Sequence, residues 1–319
     1  MTRPVVPSGS SAPADSVDSV DLTPAELRVL AAVDREGSFT AAGVALGLSQ
    51  SAVSHAVRGC ERKLGAVLFE RGRHGARTTP AGAKATAHAR QILRLLSTLA
   101  AETRAAATPE PAEPTGPVRI AAFRSAAAHL LPAVLARLTA RHPGLRPEVR
   151  IVRDLGRGTA GEVADGHADL AIATLDAATG SVPSPALPGL VAGRLFSEPY
   201  ALVHPAGHPH PRTLPLVDWD ENCGSYTRDW WRRQSWIPAA TVKVEDDTVT
   251  LSMVAQGLGM SIMPALTLLS APAGVTVAPL DPEPPTRHVG YVTTPALART
   301  AAVRALIREL RTARSPRPD

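Results

Sequence analysis

Cysteine is nearly absent from this chain. Only Cys60 and Cys223 occur in 319 residues, too few for a disulfide framework, so a reducing, cytoplasmic setting is expected. Aromatic residues are scarce as well, at 3%, and a core must therefore be built from Ala, Val and Leu within the 44% of apolar residues. No run approaches the ~20 apolar residues of a membrane span. The opening MTRPVVPSGSSAPADSVDSVD also lacks the apolar stretch of a signal peptide, so neither insertion nor export is expected. GxSxG, HExxH, CxxC and a Walker loop are all missing, which leaves hydrolase, metalloprotease and kinase chemistry without a foothold. The chain is read as a non-enzyme with no metal and no cofactor.

What is present divides along the length. Residues 1–20, rich in Ser, Pro, Ala and Asp, read as a disordered extension. Thr23-Pro24 then announces a capped helix with Leu27, Leu30 and Ala31 as its buried stripe. Ser38 or Thr40 caps a second helix that stops at Gly47, and Ser49 caps a third. In the third, Val53, Val57, Cys60 and Leu64 share an inward stripe, while Ser51, Ser54, His55 and Arg58 face outward. LFERGRHGARTTPAG reads as a two-stranded wing around a basic turn. A long helix follows from Pro80, where Ala85, His88, Ile92, Leu95 and Leu99 recur in the 3/4 alternation of a helix that packs on a partner. The boundaries are a winged helix-turn-helix over 21–80, a linker helix over 81–105 and a Pro-rich linker over 106–116.

Charge supports a nucleic-acid partner for this front end. The whole chain carries only +5, but between Arg58 and Arg94 nine Lys or Arg face two acids, a local net of +7. A helix-turn-helix with a basic wing places a recognition helix in the major groove of duplex DNA while cations hold phosphates. The candidate contacts are Ser49, Gln50, Ser51, Ser54, His55, Arg58, Arg71, Arg73, Arg77 and Thr78. Gln50 suits adenine, His55 and Arg58 suit guanine edges or phosphates, and the wing arginines suit phosphates.

From residue 117 onward, strand and helix patterns alternate as βαβαβ, implying a parallel sheet with helices on its faces; a second, similar unit and a closing helix follow. The run from Gly156 to Gly161 matches GxGxxG, yet it follows the second strand and precedes a very short helix, so it reads as a tight loop rather than a dinucleotide site. His204, His208 and His210 lie in a Pro-locked loop without a further ligand pair. Trp219, Trp230, Trp231 and Trp236 fall in one short segment, read first as packing and second as a ligand contact.

SFTAAGVALGLSQSAVSHAVRGCERKLGAVLFERGRHGARTTPAG resembles the DNA-binding region of LysR-type transcriptional regulators, and LLPAVLARLTARHPG, GHADLAI and GLGMSIMP are similar to landmarks of that family's effector domain. The likeness covers the chain after residue 21. It implies an α/β protein with an N-terminal all-α winged helix-turn-helix, a dimerisation helix and a type 2 periplasmic-binding-protein-like effector domain of two α/β subdomains. Subdomain I is expected over 117–193 and 268–319, and subdomain II over 194–267. It further implies a homodimer or homotetramer that joins through Ile92, Leu95 and Leu99, binds promoter DNA and answers to a small molecule. Peroxide-sensing relatives use two cysteines in the effector domain; this one has one. Ser51, His55 and Cys60 stand where the family usually has Pro, Arg and Leu. The effector candidates are Arg124, Ser125, Thr159, Thr174, Asp247 and Thr248. Ser125 and Thr248 stand at expected helix starts, whose unpaired N–H groups, with Arg124 nearby, favour an anionic effector. Two rivals from other classes, a solute-binding transport component and an α/β enzyme with an accessory helical domain, lack a signal peptide and a catalytic motif respectively.

Overall fold

The computed structural model describes residues 21–72, 75–107, 113–177, 179–182, 187, 189–219, 230–281 and 283–313. The expected extension, linker residues 108–112, Arg73 and Cys223 lie outside them. The chain forms two compact units, residues 1–89 and 90–319.

In the first unit, α1 (Pro24–Glu36) starts at a reciprocal cap. The Glu26 backbone N–H donates to Thr23 Oγ1, and the Thr23 backbone N–H donates to the Glu26 carboxylate at 2.8 Å. Its buried face comprises Leu27, Val29, Leu30, Ala32 and Val33, wider than the expected stripe, and Ala31 is only half-buried. The helix packs against both α2 (Phe39–Leu46) and α3 (Gln50–Leu64), so a single 3.6-period stripe underestimates what it covers. Ser38 caps α2 and Ser49 caps α3. A Cβ on Gly43 would fall 2.7 Å from the Leu48 carbonyl oxygen, so the turn between the two helices closes this tightly only over glycine. The wing strands β1 (Phe69–Gly72) and β2 (Gly75–Thr78) pair antiparallel. The Glu61 carboxylate, accepting from the Leu68 backbone N–H at 2.9 Å, fastens the wing to the end of α3. The long helix α4 (Pro80–Ala106) follows and contributes to both units.

The second unit has two lobes. In the first, β3 (Gly116–Ala122) pairs parallel with β4 (Leu145–Ile151) and β5 (Leu170–Leu175), while β11 (Thr286–Thr293) runs antiparallel between β5 and β6 (Val191–Pro205). The sheet is therefore mixed, not wholly parallel, because the chain re-enters it from the far side after building the second lobe. β6 serves both lobes. Its inner half pairs with β11, and its outer half pairs with β9 (Ser261–Pro264) and β10 (Val275–Pro279). β10 thus belongs to the second lobe, contrary to the expected boundary at 268, and Leu268 and Val275 pack there with Val203 and Met263.

One expected helix after β3 is two, α5 (Arg124–His129) and α6 (Leu131–Arg141). Pro132 supplies no N–H, and its ring crowds the carbonyl four residues back, so the chain breaks at Leu130. α7 (Gly158–Ala164) lies on β5. The second lobe adds β7 (Leu216–Trp219), β8 (Ala240–Val244), α8 (Asp247–Ala255) and α9 (Ala265–Leu268). The closing helix α10 (Ala301–Thr312) buries Val303, Leu306 and Leu310 against α6. The four tryptophans are core material: Trp219 packs with Val203 and Leu251, and Trp230, Trp231 and Trp236 gather around Tyr200 and Met260.

Candidate functional site

On α3, Gln50, Ser51, His55 and Arg58 are exposed, and their spacing puts them on one face of the helix. Ser49 Oγ accepts from the Ala52 backbone N–H and lies 2.9 Å from Ser51 Oγ. Ser54 does not join the outward face. It is only 4% exposed, and its Oγ accepts from Gln50 Nε2 at 2.9 Å, so it aims the Gln50 amide rather than touching a partner itself. On the wing, Arg77 is exposed opposite Glu70, and Thr78 is half-buried. Cys60 is fully buried; burial pushes its thiol up to about 11, so it stays protonated and packs as a small apolar group.

The basic tally overstated the cations available to DNA. Lys63 Nζ is held by Glu26 at 2.8 Å, and this bond lowers the Glu26 pKa. Within the second unit, Arg94 grips Asp169 through two 2.7 Å bonds, and Arg90 Nε donates to the Asp165 carbonyl. These contacts pin one face of α4, and Ile92, Leu95, Leu96 and Leu99 remain exposed on it. Leu96 was not among the residues singled out from sequence.

The second unit contains a cavity of about 190 Å³ between its lobes, walled by α5, α8 and the segment through Ser270. Four sequence candidates meet there: Arg124, Ser125, Asp247 and Thr248. Thr159 and Thr174 do not line it. Thr159 is fully buried and donates to the Ile172 carbonyl, and the Thr174 backbone N–H donates to Asp154 in the glycine loop, which also holds the bidentate Arg157–Asp165 pair. The loop is closed by its own side chains.

Neither Ser125 nor Thr248 caps its helix. Ser125 lies inside α5, whose cap is Phe123 without a side-chain bond, and α8 is capped by Asp246, which accepts from the backbone N–H groups of Thr248 and Val249 at 2.9 and 3.1 Å. Arg124 meanwhile pairs with Asp246 at 2.5 Å and Asp247 at 3.3 Å. The α8 amides and the cation on which an anionic effector was expected are therefore already engaged, whereas the first amides of α5 meet no side-chain cap. Burial pushes the Asp247 carboxyl up, against the opposing pull of Arg124. Burial likewise lowers His129, whose Nε2 lies 2.7 Å from Ser270 Oγ.

Beneath the cavity lies a buried charge network that the sequence reading missed. Arg287 on β11 pairs with Glu198 on β6 at 2.7 Å, its guanidinium sits 4.6 Å over the Phe123 ring, and it donates to Ser125 Oγ at 3.4 Å. The Glu198 carboxylate also accepts from the Leu266 backbone N–H at 2.5 Å, linking β6 to α9. Burial opposes the Arg287 charge, and Glu198 restores it. The available signal was a charged residue interrupting each of two apolar strands.

Comparison with known proteins agrees with this geometry. The LysR substrate binding domain matches residues 111–315, and the bacterial regulatory helix-turn-helix protein, lysR family, matches residues 24–83. A probable HTH-type transcriptional regulator, LrrA of Synechococcus elongatus, is 32% identical over 298 residues, covering 90% of this chain and 95% of that protein. Full-length OxyR from Pseudomonas aeruginosa has a TM-score of 0.67 at 23% identity, over 92% of this chain and 98% of the other. CbnR, solved with its target DNA, has a TM-score of 0.60 at 18% identity, over 91% and 99%. With a lysR-family helix-turn-helix followed by a LysR substrate binding domain on one chain, the protein belongs to the LysR family of DNA-binding, effector-modulated transcriptional regulators.

Proposed function

We propose that α3 enters the major groove with Gln50, Ser51 and His55 on base edges, while Arg58, Arg71, Arg73, Arg77 and Thr78 hold phosphates. The observation that carries this is the exposed polar face of α3, with the Gln50 amide aimed by Ser54, beside a basic wing. Two copies join through Ile92, Leu95 and Leu99, with Leu96 beside them, and read paired half-sites. A small molecule enters the cavity between Arg124, Ser125, Asp247 and Thr248 and shifts the lobes, which changes how the helix pair sits on its site. The protein acts in the cytoplasm and catalyses no reaction.

Fluorescence anisotropy with operator and scrambled duplexes across a salt series tests the division of labour. Arg77→Ala is expected to weaken both duplexes alike and to reduce the salt slope by about 1. His55→Ala is expected to cost roughly 1–3 kcal/mol on the operator and little on the scrambled duplex. Equal weakening of both duplexes by the two variants removes His55 from base readout.

A further inference from the structure

The cavity between the lobes is lined by one carboxylate, Asp247, and one guanidinium, Arg124. Beside it Glu245 and Asp246 precede Asp247 in the chain, and the first lobe answers with Arg124, paired to both aspartates, and Arg153, which pairs with the exposed Glu245 at 3.3 Å. Three carboxylates meet two guanidiniums. His129, the remaining titratable group on the wall, is kept towards its neutral form by burial.

The buried member of the Arg124–Asp247 pair is the acid. The Asp247 side chain is 6% exposed against 50% for Arg124, so a ligand inside the cavity meets the carboxylate while the guanidinium covers it from the solvent side. Among the described residues the hydrogen bonds of the Asp247 carboxylate fall on Oδ1, from the backbone N–H and Oγ1 of Thr248. An independent feature lines the same cavity: Thr267, 2% exposed, has an Oγ1 with no hydrogen-bond partner among the described residues. A buried polar group left unpaired is costly, so a ligand that satisfies it gains affinity. The amides at the start of α8 offer an anion nothing, because Asp246 already occupies them.

We propose that the effector is a small organic cation whose ammonium or guanidinium group pairs with Asp247 and whose second polar group bonds to Thr267. The cavity of about 190 Å³ holds it as a compact molecule, displacing roughly six waters at ~30 Å³ each. This rests on the reading of the cavity as the effector site, and it replaces the anionic class by the opposite one.

Calorimetry and thermal unfolding of the full-length protein, at constant ionic strength and millimolar ligand, compare four probes with three others. L-Arginine, L-lysine, agmatine and putrescine present the cation; glutarate and benzoate present only an anion; calcium chloride presents charge without an organic frame. At least one amine is expected to bind and to raise Tm, and Asp247→Asn is expected to weaken it about tenfold or more, the loss of one charge-assisted hydrogen bond. Thr267→Val, close to isosteric, is expected to weaken the same amine severalfold and guards against an Asp247 variant that fails to fold. Stabilisation by glutarate, benzoate or calcium alone, by no probe, or by an amine that binds both variants as tightly as the parent overturns the proposal. Duplex affinity measured on the same samples separates the two readings. Anions that bind and shift duplex affinity keep the effector cavity and remove the cation. An amine that needs Asp247 yet leaves duplex affinity unmoved keeps the ligand class and removes its regulatory role.

Discussion

Glu198→Ala is expected to lower the unfolding free energy by about 3–5 kcal/mol, the largest stability loss anticipated for a single side chain here. Glu198 and Arg287 face each other across β6 and β11 with 3% and 5% of their side chains exposed, so deleting the acid strands a guanidinium where water cannot reach it. The Leu266 backbone N–H loses its acceptor at the same time. The position magnifies the effect, because Glu198 precedes the point at which β6 leaves one sheet and joins the other. Urea unfolding followed by tryptophan emission reads it directly, since Trp219, Trp230, Trp231 and Trp236 pack in the lobe that α9 belongs to. Replacing both partners, Glu198→Leu with Arg287→Met, is expected to recover most of the loss, because an apolar pair leaves no charge uncompensated. A midpoint within error of the parent for Glu198→Ala, or a double variant no better than the single one, shows that the pair is solvated and holds nothing together.

That network also marks the boundary of what the sequence made visible. The ends of α1, α2 and α3 were readable because capping is local: Thr23 with Glu26, Ser38, Ser49, Gly37 and Gly47 each act within four residues. The break at Leu130 is equally local, set by Pro132, yet a single helix was expected across it. Ser54 was misplaced because periodicity gives the direction of a buried stripe but not its width, which depends on what packs beside the helix. β7 escaped notice because all four of its residues are buried, and such a strand shows no alternation. The antiparallel insertion of β11, the assignment of β10 and the Glu198–Arg287 pair are contacts between distant residues, fixed by which strand edges remain to be satisfied once the rest of the sheet exists. The cavity falls between these cases. Strand-to-helix junctions pointed to Arg124, Ser125, Asp247 and Thr248, yet Asp246 takes the cap and Thr267 arrives from a helix that carried no signal at all.

Leu95→Asp is expected to convert the protein to a monomer and to weaken operator binding by about 10²–10⁴-fold without altering any DNA contact, since two linked half-site readers gain about that much from being joined. Ile92, Leu95, Leu96 and Leu99 follow the i, i+3, i+4, i+7 pattern and are 44%, 39%, 39% and 61% exposed. The opposite face of the helix has its partners already, through Arg90, Gln91 and Arg94, so the apolar stripe faces away from the unit that anchors it. In the proposed dimer a second copy of the same stripe covers it, an isologous contact. A carboxylate at its centre must then be buried or must keep the helices apart, and the second is cheaper by several kcal/mol. Because Leu95 is partly exposed in the single chain, the substitution leaves the fold of each copy intact, and circular dichroism checks this. Sedimentation velocity reads the mass and anisotropy reads the operator affinity. A variant that sediments as the parent does, and binds the operator as tightly, removes α4 from the dimer interface and leaves its exposed leucines without a role in DNA recognition.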